Sequence, residues 1–273
     1  MSRDYLSIFL SFLLKFSIFS VLFIFLGITL FIFIKGIMHI NLGLFEWEYN
    51  STNVSLMPAL INTINMVVCS LIIAMPLGIF GAIYLNEYSK TDSKILSLIR
   101  ITSDTLVGIP SIVYGLFGYL AFVIYFGFKT SFIAGVLTLS IMILPLILRS
   151  SEEALKSVPI GYKEAALALG ASKLRTIFTI ILPSATAGIL AGVILSIGRI
   201  VGESAALLYT SGSVAQIAGA MDSGRTLSVH MYAISSEGLH INEAYSTAMV
   251  LIVIVFFMNF ISNFIAKKIL KDS

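Results

Sequence analysis

The chain has 273 residues, 58% of them hydrophobic and 11% charged, with a net charge of +3 and a mean hydropathy of +1.00. A soluble globular domain carries roughly 25% charged residues, so the composition excludes that class, and length divided by a soluble domain size has no meaning here. The single Cys69 excludes an internal disulfide framework and argues against a cysteine metal site. The dispersed Lys and Arg residues form no basic stripe for nucleic acid.

In chain order, Arg3 and Lys15 precede an apolar run over 16–34. This run is too long for a signal-peptide core and has no small-x-small cleavage site after it, so it reads as an uncleaved first span. The segment from His39 to Pro58 holds Glu46, Trp47, Glu48 and Tyr49 and no basic residue, which suits an outer membrane interface. A second span is expected over 59–84, kinked by Pro76. The stretch from Glu87 to Arg100 is polar, with Lys90 and Lys94. The third span, 106–126, opens on Gly108-Ile109-Pro110-Ser111 and ends its first turn at Gly115, which predicts a bent or locally broken helix. Lys129 marks a turn before a fourth span over 132–148. A polar stretch, 149–182, carries Arg149, Lys156, Lys163, Lys173 and Arg175; the fifth span follows over 184–209. The next loop has Arg225 as its one basic residue, and the sixth span, 244–266, runs into Lys267, Lys268 and Lys271.

Basic residues therefore collect at both ends and in the second and fourth loops. The positive-inside rule predicts cytoplasmic termini and a cytoplasmic 149–182 loop, a parity that six spans satisfy. The expectation is an all-α, polytopic membrane protein: one transmembrane domain over 1–273 without tandem repeat or second soluble domain.

Two features carry chemistry. In the fourth loop, Pro159 stops one helix and a second begins near Gly161; its Ala165, Ala166 and Ala168 give a narrow face, and Gly170 suits a left-handed cap. Such a helix either seats in a groove of another protein or lies on its own bundle. In the fifth span, Arg199 and Glu203 are four residues apart, which on a continuous helix puts them on one face within pairing distance. At 1.5 Å per residue Arg199 lies about 24 Å beyond Pro183, past the bilayer middle. A charge there costs roughly 2.5–3.5 kcal/mol, and an Arg fork suits an oxyanion; the alternative is a static ion pair that locks helices. Gly188 to Gly192 and Gly198 to Gly202 have small-xxx-small spacing. Ser111, Tyr114 and Ser204 are lesser candidates to line a path. His39, His230 and His240 are too scattered for a metal site, and Asp104 is expected to cap a span or face water. With no paired carboxylates, no Ser-His-Asp arrangement and no GxxxxGK[ST] phosphate loop, the chain is expected to have neither catalytic activity nor a cofactor of its own.

Glu164-Ala165-Ala166, Gly170, Ile180, Leu182 and Pro183 together resemble the signature cytoplasmic loop of binding-protein-dependent ABC importer permeases. That resemblance implies the type I permease fold, a coupling helix over this loop that docks on a separate ATPase dimer, and Glu164, Ala165, Ala166 and Gly170 as its coupling residues. The stretch from Gly188 to Leu208 is similar to phosphate-specific importer permeases, more to their PstA-type than their PstC-type subunit, chiefly through Glu203-Ser204-Ala205 and Leu207-Leu208-Tyr209-Thr210. The likeness extends from about Thr63 onward, including Gly108 to Gly115, Leu227 to Tyr232 and Glu243-Ala244-Tyr245. It implies a subunit that moves phosphate using Arg199, Glu203 and Arg225, paired with a second related permease and fed by an extracytoplasmic phosphate-binding protein, in the cell membrane. Ala206 stands where the commoner form of that family has Pro, so a weaker bend is expected there. The competing readings are a permease for sulfate or molybdate, which Arg199 suits equally; an ion-coupled secondary transporter, for which paired inverted repeats are not evident; and a membrane scaffold or sensor without transport.

Overall fold

A computed structural model describes residues 2–89 and 94–272, so Lys90 of the second loop lies outside the described residues. The first helix, α1 (Ser2–Met38), is apolar all round, and its membrane-length stretch buries nothing against the rest of the chain. It docks only near its end. Ser246 Oγ donates to the Gly36 carbonyl at 2.9 Å, and Phe31 meets Tyr245 edge-on at 5.8 Å. The exposed Phe and Leu side chains along α1 are what a lipid-facing helix presents.

The core is built by α2 (Met57–Ile83), α5 (Phe132–Lys156) and α8 (Leu182–Gly202). Met66, Val67, Leu139, Met142, Ile143, Ile197, Ile200 and Val201 interlock at its centre. Both α2 and α5 run on through Pro76 and Pro145, each losing one backbone donor that the bundle tolerates. The last helix, α11 (Ile241–Asp272), packs on α1 and α8.

The third span departs from a simple crossing. The later part of the polar stretch, from Lys94, begins α3 (Lys94–Val107), which then turns by 104° through 108–110 into α4 (Ser111–Gly118) and a π-helical turn, Tyr119–Tyr125. The broken helix expected at Gly108–Pro110 is thus present. Five helices are long and apolar enough to cross a membrane, six if the bent pair is one span. α3 lies along the charged end of α5, where Arg100 Nε meets Glu152 Oε1 at 2.6 Å. Asp104, half exposed there, meets Arg149 Nε at 3.3 Å.

The polar 149–182 stretch is shorter as a loop than its composition suggests. Helix α5 continues to Lys156, α6 (Ile160–Ala168) follows Pro159, and α7 (Lys173–Thr176) leads through a π-helical turn, Ile177–Ile181, directly into α8. The helix that Pro159 stops is therefore the end of the fourth span itself.

Beyond α8, the short α9 (Ala205–Thr210) ends in an irregular segment, 211–226, before α10 (Leu227–Glu237). That segment is folded back on the bundle, and its polar groups are matched. Phe132 N donates to the Asp222 carbonyl (2.8 Å) and Ile133 N to Ala220 (3.0 Å), which satisfies the open amides at the start of α5. Asn62, fully buried on α2, donates to the carbonyls of Gln216 (2.8 Å) and Arg225 (3.1 Å) and accepts from Ala218 N (3.0 Å). Thr63 Oγ1 accepts from Leu227 N at 2.9 Å.

Helices α4 and α9 meet at Gly115, where a Cβ would lie 2.7 Å from the Ala206 Cα. Backbone, unlike a flexible side-chain tip, has nowhere to move. Gly115→Val should therefore destabilise the protein by about 1–3 kcal/mol, read as a lower unfolding midpoint in detergent. Gly161→Ala, with open space around its Cα, should leave the midpoint unchanged.

Candidate functional site

The depth of Arg199 follows from how α8 packs. Gly188 presses on Ala154, and Gly192 leaves no room for a side chain against Ser150. Helix α8 is therefore level with the charged end of α5, where Arg149, Glu152, Glu153 and Lys156 form ion pairs. From Gly192 to Arg199 the helix rises ~10 Å. Arg199 thus lies about two turns beyond the contact of Gly192 with α5. It lines a cavity of about 660 Å³ together with Val107, Leu146, Leu195, Asn259 and Asn263. Asn259 Oδ1 is buried without a hydrogen-bond partner there. Among the described residues Arg199 makes no ion pair.

Glu203 does not share a helical face with Arg199. Helix α8 ends at Gly202, and Glu203 is extended (φ −76°, ψ 123°). Its carboxylate, buried on the far side of the break, accepts from Ala206 N at 3.0 Å and so caps α9. The one-face pairing expected from the spacing fails because the i, i+4 rule requires an unbroken helix. The weaker bend expected from Ala206 is also corrected: the chain breaks fully without proline, and the Ala206 amide, which a proline lacks, is what Glu203 binds. Tyr114 is likewise structural. Its buried hydroxyl donates to the Leu106 carbonyl at 2.8 Å, pinning the two halves of the bent span together. Ser204 faces a different cavity, of about 430 Å³, beside Met231 and Tyr245.

Arg225, 5% exposed, belongs to a third environment. Its guanidinium lies 4.5 Å from the centre of the Tyr49 ring, and its Nε and Nη2 have no partner among the described residues. Tyr49 in turn meets His230 edge-on at 6.1 Å. This stack joins the 39–56 segment to α10. Burial first, and the Arg225 charge second, hold the His230 imidazole down to about 3. The Val54 backbone favours its charged form slightly, without a hydrogen bond of normal geometry. Asn62 was not singled out in the sequence, and Tyr49 was read only as an interfacial aromatic, not as the partner of Arg225. Only the rarity of an amide in an apolar run hinted at Asn62.

On the opposite side, α6 ends as predicted. Gly170 is left-handed (φ +84°), with Ala171 N donating to the Ala166 carbonyl and Gly170 N to Leu167, a Schellman cap. The alanine face is divided: Ala166 is buried on the bundle, while Glu164, Ala165, Leu167 and Leu169 point outward. Lys163 Nζ pairs with Glu87 Oε2 at 2.5 Å, and Lys173 Nζ lies 4.2 Å over the Tyr88 ring.

The profile of the family described as "Binding-protein-dependent transport system inner membrane component" matches residues 74–271. The chain belongs to this family. Among curated relatives of this membrane component, "Probable ABC transporter permease protein YqgI" of Bacillus subtilis is 32% identical over 259 residues, covering 85% of this chain and 86% of its own. "Phosphate transport system permease protein PstA homolog" of Mycoplasma pneumoniae is 34% identical over 253 residues, 88% of this chain but 38% of its own length. The Xylella fastidiosa protein "Phosphate transport system permease protein PstA" is 40% identical over 146 residues, 54% of this chain and 50% of its own. The fold matches a chain of a bacterial alginate ABC transporter solved with an alginate-bound periplasmic protein, at TM-score 0.65 and 14% identity over 94% of this chain and 96% of that one. A chain of the inward-facing MetNI methionine ABC transporter aligns at TM-score 0.61 and 19% identity, over 78% of this chain and 94% of that one.

The His230 environment makes a pH prediction. A histidine held neutral when folded lets the unfolded chain take up a proton first as pH falls below about 6.5, so stability is lost toward acid. From pH 7 to pH 5 the loss is on the order of 2 kcal/mol. Thermal unfolding in detergent should show it, and His230→Phe should remove that part of the acid sensitivity.

Proposed function

We propose that the chain is a permease subunit of an ATP-driven, binding-protein-dependent importer of inorganic phosphate. The observation that carries this reading is Arg199, a guanidinium without an ion-pair partner among the described residues, lining an open groove between α3, α5, α8 and α11. Relatives over most of the chain are named for phosphate transport. A planar fork beside the Asn259 and Asn263 amides offers donors to a tetrahedral oxyanion and holds it by charge-assisted hydrogen bonds. Arg199 is the residue that contacts the passing anion. Glu203 sets the break that aims the end of α8, and Arg225 lends positive potential from the outer layer.

In this reading both termini and α6 are cytoplasmic, and the segment around Trp47 and Tyr49 meets the binding protein outside. The exposed Glu164, Ala165, Leu167 and Leu169 dock on one ATPase of a dimer, and Gly170 ends the helix so that this face stays compact. The cavity beside Arg199 is completed by a second, related permease. ATP-driven closure of the ATPases opens the path outward to receive phosphate, and hydrolysis returns it inward.

The test is ATP-dependent uptake of labelled phosphate in membrane vesicles that contain the complete transporter, with excess sulfate as competitor. Wild-type uptake should be indifferent to sulfate, and Arg199→Ala should lower it about 10–100-fold, the worth of one charge-assisted contact. Suppression by sulfate would redirect the assignment to another oxyanion. Full uptake in the variant would remove Arg199 from the path.

A further inference from the structure

Helix α6 is joined to the rest of the bundle by one charged side-chain contact among the described residues, Lys163 to Glu87. The Glu87 carboxylate is 4% exposed, while the Lys163 side chain is 34% exposed. Glu87 belongs to the π-helical turn Tyr84–Tyr88, which continues α2 without interruption. The chain after α6 grips the same turn: Lys173 Nζ donates to the Glu87 carbonyl and lies over Tyr88. Asn86 steadies the carboxylate from its own turn at 3.0 Å.

At its other end α2 holds the irregular 211–226 segment. Asn62 bonds Gln216, Ala218 and Arg225, and Thr63 accepts from Leu227. Between Thr63 and Glu87 the helix rises ~36 Å. One rigid element therefore touches the helix that meets the ATPase and the loop that closes the opposite face. Its one interior interruption is Pro76, where a backbone hydrogen bond is missing.

We propose that α2 carries the motion of α6 to the 211–226 segment, with Glu87 as the positioning residue that clamps the two helices together. The inference rests on the ABC importer reading and does not depend on which anion is carried. Two covalent linkers, 157–159 and 169–172, also join α6 to the bundle. Short linkers pivot and pass on tension. A charge pair with a buried carboxylate resists displacement in both directions, because separation leaves the largely enclosed Glu87 carboxylate without its cation. Turning α6 must then turn the end of α2, and with it the Asn62 clamp on the far loop.

The experiment uses the complete transporter, purified with its ATPase and partner subunits, with hydrogen exchange of the 211–226 segment measured with and without trapping by ATP and vanadate. In the wild type, trapping should change exchange of that segment. Glu87→Gln keeps the shape and loses the charge; it should retain vanadate-sensitive ATPase activity but cut the exchange response about fivefold, the scale expected for a lost coupling contact. The exchanged pair Glu87→Lys with Lys163→Glu should recover the response. A merely structural role would lower ATPase activity and response together, with no recovery in the exchanged pair. If Glu87→Gln does not assemble, Lys163→Gln, altered at the more exposed partner, is read in the same way. A wild-type segment indifferent to trapping, or a Glu87→Gln segment that responds fully, overturns the proposal. Trapping needs no transported substrate, so a failure of the phosphate assignment leaves this outcome readable.

Discussion

An amide or carbonyl left unpaired in hydrocarbon costs several kcal/mol, and this chain interrupts its helices at 108–110, at Glu203–Ser204 and through 211–226. Each interruption is closed by a specific local device. At the first, Gly108 N and Ile109 N turn back to Thr105 and Leu106, and the Tyr114 hydroxyl adds a bond to the Leu106 carbonyl. At the second, Glu203 N returns to Ile200 and the Glu203 carboxylate takes the Ala206 amide. The third is closed from outside the segment by Asn62 and Thr63 and from within by Ser211, whose hydroxyl donates to Gly224 at 2.6 Å.

These devices decide where charge is available. A carboxylate committed to a helix cap at the end of α8 is not the counter-ion of Arg199, one turn earlier. The guanidinium is left facing a cavity whose other polar members are asparagine amides. Arg225 has the reverse situation: it is enclosed, stacked on Tyr49 and next to a neutral histidine. Two arginines of one sequence region thus occupy environments of different chemistry, Arg199 lining a cavity and Arg225 stacked on an aromatic ring.

The apolar runs made the membrane class and the number of crossings legible, because 18 or more apolar residues have few other uses. Gly170 was legible as a left-handed cap, and Gly108-Ile109-Pro110 as a break, since both act through backbone geometry. Glu203 was not. Its spacing from Arg199 follows the rule for a continuous helix, and Gly202, the one glycine between them, reads as part of a small-xxx-small frame and does not announce an end. Asn62 was missed because a lone amide in an apolar run carries no spacing signal; its partners lie more than 150 positions away in the chain. The start of helix α3 was read as a polar stretch because an amphipathic helix lying on a charged surface has no long apolar run.

The sharpest measurement is a double-mutant cycle on unfolding stability in detergent with Arg199→Ala and Glu203→Ala. A cap and an unpaired guanidinium act on separate partners, so the two effects should add to within about 0.5 kcal/mol, with the loss concentrated in Glu203→Ala. A coupling energy of about 1–3 kcal/mol would mean that the two side chains bind each other across the break, and would contradict the assignment of Glu203 to α9 and of Arg199 to the cavity.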